Sequence, residues 1–217
     1  FLSLPGPEAV NSVVERLRDE LASGSVLIDL STSLPVTTNR IAADLRDAGI
    51  DVLGAPVSGG TSGAEKGSLT VMVGGDHDVY ETCRPLFGAF CDQMFHVGPR
   101  PGQGHAVKLL NNYLSFTGLF IACEAIVLGG QAGLDRAVMT DVFNASSGRN
   151  SATENKLPEE VFTGEYDVGF DIDLVEKDLR LFSKFGENQD SPLLLGNVVR
   201  SLYGYASSDM GSDADAT

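Results

Sequence analysis

With 217 residues and 42% hydrophobic content, the chain can fold as one large domain or two small ones around a sizeable core. Fifteen basic residues against thirty acidic ones leave a net charge of −15. That balance argues against nucleic acid or an anionic membrane as a partner, so any anionic ligand must be held locally. The three cysteines, Cys83, Cys91 and Cys123, form no C-x-x-C pair, and the three histidines, His77, His96 and His105, lack i,i+4 spacing. Neither a disulfide framework nor a metal site is expected; the thiols fit a reducing cytoplasm and the histidines read as structural or exposed.

The first hundred residues alternate short β-rich runs with helical patterns. "FLSL" reads as a strand end stopped at Pro5, "VVERLRDEL" as an amphipathic helix, "SVLIDLS" as a buried strand, "TTNRIAADLRDAG" as a helix and "DVLGAPVS" as a strand. "SLTVMVGG" and "MFHVG" predict further strands flanking a helical "DVYETCRPLFGAF". This order predicts a Rossmann-type parallel sheet with helices on its faces. The opening "FLSLPGPEAV" has no basic region and breaks at two prolines, so no secretory signal is expected from it.

"GPRPGQG", Gly98 to Gly104, is the strongest boundary, dividing an α/β domain over 1–101 from an all-α domain over 102–217. Helical spacing then covers 104–130, 137–146, 151–160, 171–186 and 192–206. The first of these contains fifteen uncharged residues, Leu109 to Cys123. It falls short of the ~20 apolar residues that a bilayer crossing requires, and Asn111, Asn112, Ser115 and Thr117 interrupt it. A helix apolar all round predicts burial on every side, in the middle of the molecule or in a homodimer or homotetramer interface.

Three constellations could carry chemistry. In "APVSGGTSGAEKGSLTVMVGG" a strand runs into Ser58, Gly59 and Gly60, where a loop of small residues could cradle a carboxylate with backbone N–H groups. In "IDLSTSLP" a strand end presents Ser31, Thr32 and Ser33, which could bind a ligand; Ser33 or Thr37 could equally cap the next helix. In "GQGHAVKLLNN", Lys108 shares a helix face with Asn111 and Asn112 through i,i+3 and i,i+4 spacing. Partial burial there disfavours an ammonium, which suits proton transfer near neutral pH, although a lysine at a helix start also commonly snorkels to solvent.

"DLST", the glycine-rich segment and "GQGHAVKLLNN", in this order, resemble the signatures of the β-hydroxyacid dehydrogenase family. Gly102, Gly104, Lys108 and Asn112 match its G-x-G-x-x-x-K-x-x-x-N motif, "FLSLPGPEAV" is similar to its Leu-Pro strand end, and "LVEKDLRLF" to its later Lys-Asp-Leu motif. The resemblance implies that Leu4, Pro5, Thr32 and Lys177 contact NAD or NADP. It implies further that Ser58, Gly59, Gly60 and Asn112 hold a small hydroxy-acid substrate, and that Lys108 is the general acid/base for hydride exchange with an aldehyde or ketone. The family's opening G-x-G-x-x-G turn does not occur, and Phe1 aligns with the middle of its first domain, which implies roughly sixty preceding residues in a complete member. Imine reduction on the same fold and a non-catalytic scaffold that has lost the dinucleotide site are the competing expectations.

Overall fold

The computed structural model describes residues 1–217. They form two compact units: Phe1–Leu110 with Lys184–Asp190, and Asn111–Ser183 with Ser191–Thr217.

In the first unit, α1 (Pro7–Leu17) precedes β1 (Val26–Asp29), α2 (Pro35–Arg46) and β2 (Asp51–Gly54). β1 and β2 run parallel, pairing Val26 with Asp51 through Asp29 with Gly54. Leu2 adds a parallel bridge to Asp29, with Leu2 N–H donating to Ile28 O and Leu30 N–H to Leu2 O, both at 2.8 Å. Alternate residues face opposite sides, as the pleat dictates. Leu27 and Val52 pack under α1 and α2 with Val10, Ile41 and Leu45, while Ile28 and Leu53 join a second core with Tyr80, Cys83 and Phe87.

The rest of the sheet departs from the parallel expectation. β3 (Val57–Ser58) continues β2 after a break at Ala55–Pro56, and both pair antiparallel with β4 (Leu69–Gly74). Past α4 (His77–Phe87), β5 (Cys91–Gly98) again lies parallel to β4. The reversal has a local cause. Between Ser58 and Leu69 the chain forms α3 (Gly60–Lys66), closed by left-handed Gly67, and this single short helix turns the chain back beside the strand it has just left. The expected loop of small residues is therefore a helix.

The second unit is built on the long α5 (Gly102–Gln131), most of which lies within it, with α6 (Arg136–Asn144), a π-helix π1 (Ala152–Val161), α7 (Ile172–Glu187) and α8 (Leu194–Met210). The π register accommodates Pro158, which lacks an N–H and would crowd a regular α-helical turn. Phe116, Val175, Leu179, Val199 and Tyr203 form one core, and Leu119, Ala122, Ala152 and Leu157 another. Tyr113 stacks on Phe182 with ring centroids 4.3 Å apart.

Covering of α5 on every side, as its composition predicts, does not occur within the chain. Leu114 is 70% exposed, Val127 60% and Leu128 68%. By length and hydropathy alone α5 would suit a bilayer crossing, yet Phe116, Leu119 and Ala122 engage it in the cores of this unit.

Candidate active site

The carboxyl ends of β1 and β2 and the Leu2 bridge lie side by side, so Leu4–Pro5, Ser31–Thr32 and the Ala55–Ser58 segment leave from one sheet edge. This edge is where open α/β sheets bind ligands. Leu4 N–H donates to Ser31 Oγ at 3.0 Å, and Ser31 N–H donates to Asp29 Oδ1 at 3.0 Å. These bonds hold the two strand exits together and leave Leu4 and Thr32 half-buried and Pro5 exposed. Ser33 and Thr37 do not cap α2: the helix begins at Pro35 after Leu34, with no side-chain cap, and Ser33 Oγ is buried without a partner.

Gly59 and Gly60 have φ of 134° and 63°, a region that only glycine enters readily. A Cβ on Gly60 would meet nothing within 4 Å, so the backbone beside half-buried Ser58 is open to a ligand.

The start of α5 docks at the same edge. Gly102 N–H donates to Asn39 Oδ1 at 2.9 Å. A Cβ on Gly104 would run into the carbonyl oxygens of Gly54 and Met72, and one on Gly74 into Arg100 O, Pro101 O and Gly104 N. Gly104 thus lets the first turn of α5 rest directly on the ends of β2 and β4, while Gly102 lies against Pro35 O and Asn39 of α2. One turn further, His105 is fully enclosed, with Nε2 3.5 Å from Asp29 Oδ2. Burial pushes the imidazole down to about 4 despite the nearby Ser31 backbone. The same burial raises the Asp29 carboxyl, although two hydrogen bonds to Ser31 favour its charged form. Lys108 follows three residues later, only 9% exposed.

Asn112 lies one turn beyond Lys108 on the same helix, in the second unit. Its Nδ2 donates to Asp178 Oδ2 at 2.6 Å, with both side chains buried. The other oxygen of Asp178 ion-pairs with Lys177 Nζ at 3.2 Å. Asn112 is therefore oriented, with one amide N–H left over and room for a further donor at its carbonyl. Asn111 shares the face only weakly, its Nδ2 reaching Asn112 Oδ1 at 3.5 Å. Asp178, the buried acceptor of the Asn112 amide, is not singled out by the motif, though it stands beside Lys177 in the Lys-Asp-Leu segment. The Asp29–His105 pair was also missed, because its members are far apart in sequence.

Residues 102–217 match the family model for the NAD-binding domain of NADP-dependent 3-hydroxyisobutyrate dehydrogenase, and residues 1–98 the model for the NAD binding domain of 6-phosphogluconate dehydrogenase. The chain is 38% identical to 2-(hydroxymethyl)glutarate dehydrogenase of Eubacterium barkeri over 206 residues, 94% of this chain and 68% of the relative. The chain belongs to the β-hydroxyacid dehydrogenase family. The solved structure of Mycobacterium tuberculosis 3-hydroxyisobutyrate dehydrogenase with L-serine superposes at a TM-score of 0.90, with 27% identity over 99% of this chain and 75% of that one. A Streptomyces aurantiacus imine reductase shares the fold alone, at 17% identity and a TM-score of 0.61 over 99% of this chain and 76% of that one.

Membership makes this protein an NAD(P)-linked oxidoreductase. The residues present fit that cofactor: half-buried Leu4 and exposed Pro5 offer an apolar rest for a flat ring, and Thr32 a hydroxyl, at the strand edge.

Proposed function

We propose that the chain carries the substrate site and acid/base lysine of a dehydrogenase that interconverts a short 3-hydroxy acid, or a 2-hydroxy-3-oxo acid, with its aldehyde or ketone. The observation that carries this reading is Lys108. It is a nearly enclosed lysine whose helix is seated on the strand ends through Gly104 and tied to α2 through Gly102, one turn ahead of an Asn112 oriented by Asp178.

NAD(P), when bound, would supply or take up the hydride. Leu4, Pro5 and Thr32 would hold it at the strand edge, and Lys177 is the further residue that would contact it. Ser58 and the backbone of Gly59 and Gly60, open at Gly60, receive the substrate carboxylate, which the acidic surface would otherwise repel. Asn112 holds the neighbouring oxygen. The Lys108 ammonium gives its proton to the substrate oxygen during reduction, and the amine removes that proton during oxidation. Enclosure excludes water from the transfer and strengthens each polar contact.

The acids named for the relatives, 2-(hydroxymethyl)glutarate and 3-hydroxyisobutyrate, define the substrate class to test first. The exposed apolar residues of α5 and α6 support a homodimer or homotetramer, and the free cysteines a cytoplasmic setting. Imine reduction is disfavoured because the acid/base lysine of hydroxyacid chemistry is retained.

In the full-length enzyme, Lys108→Ala should lower kcat by at least ~10²-fold while cofactor affinity changes little. Lys108→Arg should not restore it, because a guanidinium does not deprotonate in this range. Single-turnover hydride transfer as fast in Lys108→Ala as in the wild type would make the lysine structural and remove the proposal.

A further inference from the structure

The mechanism leaves one enclosed pair of titratable groups unused. Asp29 ends β1 and His105 stands in the first turn of α5, and both side chains are almost fully shielded, at 2% and 0% exposure. Such a pair costs desolvation, and a well-packed apolar pair could fill the same space at no loss of stability. Its connections suggest what it does instead. Asp29 Oδ1 accepts from Ser31 N–H, and Ser31 Oγ accepts from Leu4 N–H, so one carboxylate reaches the Leu4 and Thr32 segments. Asp29 Oδ2 faces His105, which precedes Lys108 by three residues on the same helix. A Cβ on Gly54 would strike the imidazole, so the ring is wedged between the ends of β1 and β2.

We infer that His105 and Asp29 are positioning residues for Lys108: their buried pairing locks the first turn of α5 against the strand exits that carry Leu4 and Thr32, and so sets where the lysine stands. This rests on the acid/base reading of Lys108. Rotation of α5 about its axis would carry Lys108 away from the edge; the bond from Gly102 N–H to Asn39 Oδ1 holds only the very start of the helix, and the enclosed His105 ring, wedged against Gly54, holds the next turn. A fully enclosed ring whose Nε2 lies 3.5 Å from Asp29 Oδ2 resists that rotation by its shape and by the attraction between ring and carboxyl, and misplacement by about 1 Å is enough to cost roughly 10²-fold in rate.

A double-mutant cycle in the full-length enzyme tests this. Asp29→Asn and His105→Gln should each lower kcat roughly tenfold or more, with KM for NAD(P) unchanged within about twofold, and neither should lower kcat further in a Lys108→Ala background. Losses that multiply with that of Lys108→Ala, or an unchanged kcat in both single variants, would overturn the inference. If Lys108→Ala itself retains full activity, the acid/base reading fails instead, so the two failures are distinguishable. Should either variant not fold, nitrogen-15 spectra of the histidine rings in the wild-type chain decide. The inference requires a His105 ring N–H protected from solvent exchange, and a freely exchanging ring that titrates near the ordinary value would overturn it.

Discussion

Asn112 donates its amide N–H to Asp178 at 2.6 Å, and this bond fixes which way the amide points. A carboxylate can only accept, so the nitrogen of Asn112 is drawn toward α7 and its carbonyl is left facing elsewhere. Asp178 is 2% exposed, which makes the bond charge-assisted in a shielded setting. Asp178→Ala should therefore cost about 1–3 kcal/mol of transition-state stabilisation, roughly tenfold to a hundredfold in kcat/KM for the hydroxy acid. Steady-state kinetics on short hydroxy acids check this; an unchanged kcat/KM would show that Asn112 needs no orientation.

The close seating of α5 makes a second expectation. Gly104→Ala places a methyl group against the Gly54 and Met72 carbonyls, backbone atoms that cannot swing aside. Gly204 sits inside α8 with nothing within 4 Å of the space a Cβ would take. Gly104→Ala should destabilise by several kcal/mol or prevent folding, whereas Gly204→Ala should stabilise by about 0.5–1 kcal/mol through helix propensity. Denaturant midpoints separate the two. Equal, small effects would mean that α5 can shift away from the sheet.

The buried pair makes stability depend on pH in two opposed ways. The His105 imidazole is pushed from 6.5 to about 4 in the folded chain, so on acidification through that window the unfolded chain takes up its proton first and stability falls. The Asp29 carboxyl is raised above 3.8, so on acidification the folded chain takes up its proton first and stability rises. Together they partly cancel. Asp29→Asn should steepen the loss of stability between pH 6.5 and about 4, and His105→Gln should reverse its sign or flatten it. Urea midpoints measured across this range provide the check, and parallel pH profiles for both variants and the wild type would contradict the assignment.

A fourth expectation concerns the surface of the second unit. A groove of about 680 Å³ is lined by Leu128, Leu134, Val138, Met139, Val142 and Phe143, and Leu128, Val138 and Val142 are more than half exposed. With a net charge of −15, copies of the chain repel one another except where charge is absent. Light scattering should find an oligomer for the wild type, and Leu128→Glu combined with Val138→Glu should weaken it at least tenfold in dissociation constant. An unaltered mass for the double variant would place the interface elsewhere.

Local pattern alone specifies a large share of this molecule. The change from period two to period 3.6 marks the passage from strands to helices, and Gly98–Gly104 marks where it happens. The spacing Gly102, Gly104, Lys108, Asn112 puts a lysine and an amide on one helix face whatever surrounds them, because the helix repeat is set by backbone geometry. The identity of the family follows from such ordered local signals.

Other features were decided only by the fold. The antiparallel turn from β3 to β4 depends on a seven-residue helix, Gly60–Lys66, whose glycine-rich sequence carries little helical signal of its own. The exposure of Leu114, Val127 and Leu128 could not be read from an apolar pattern, because composition tells how much surface seeks cover but not what supplies it. Asp29 with His105, and Asn112 with Asp178, are separated by 76 and 66 residues and meet through strand pairing and helix packing. Their roles come from burial, and burial is a property of the assembled core: a carboxylate that is ordinary in a solvated strand end becomes a costly, oriented group only once other elements have closed over it.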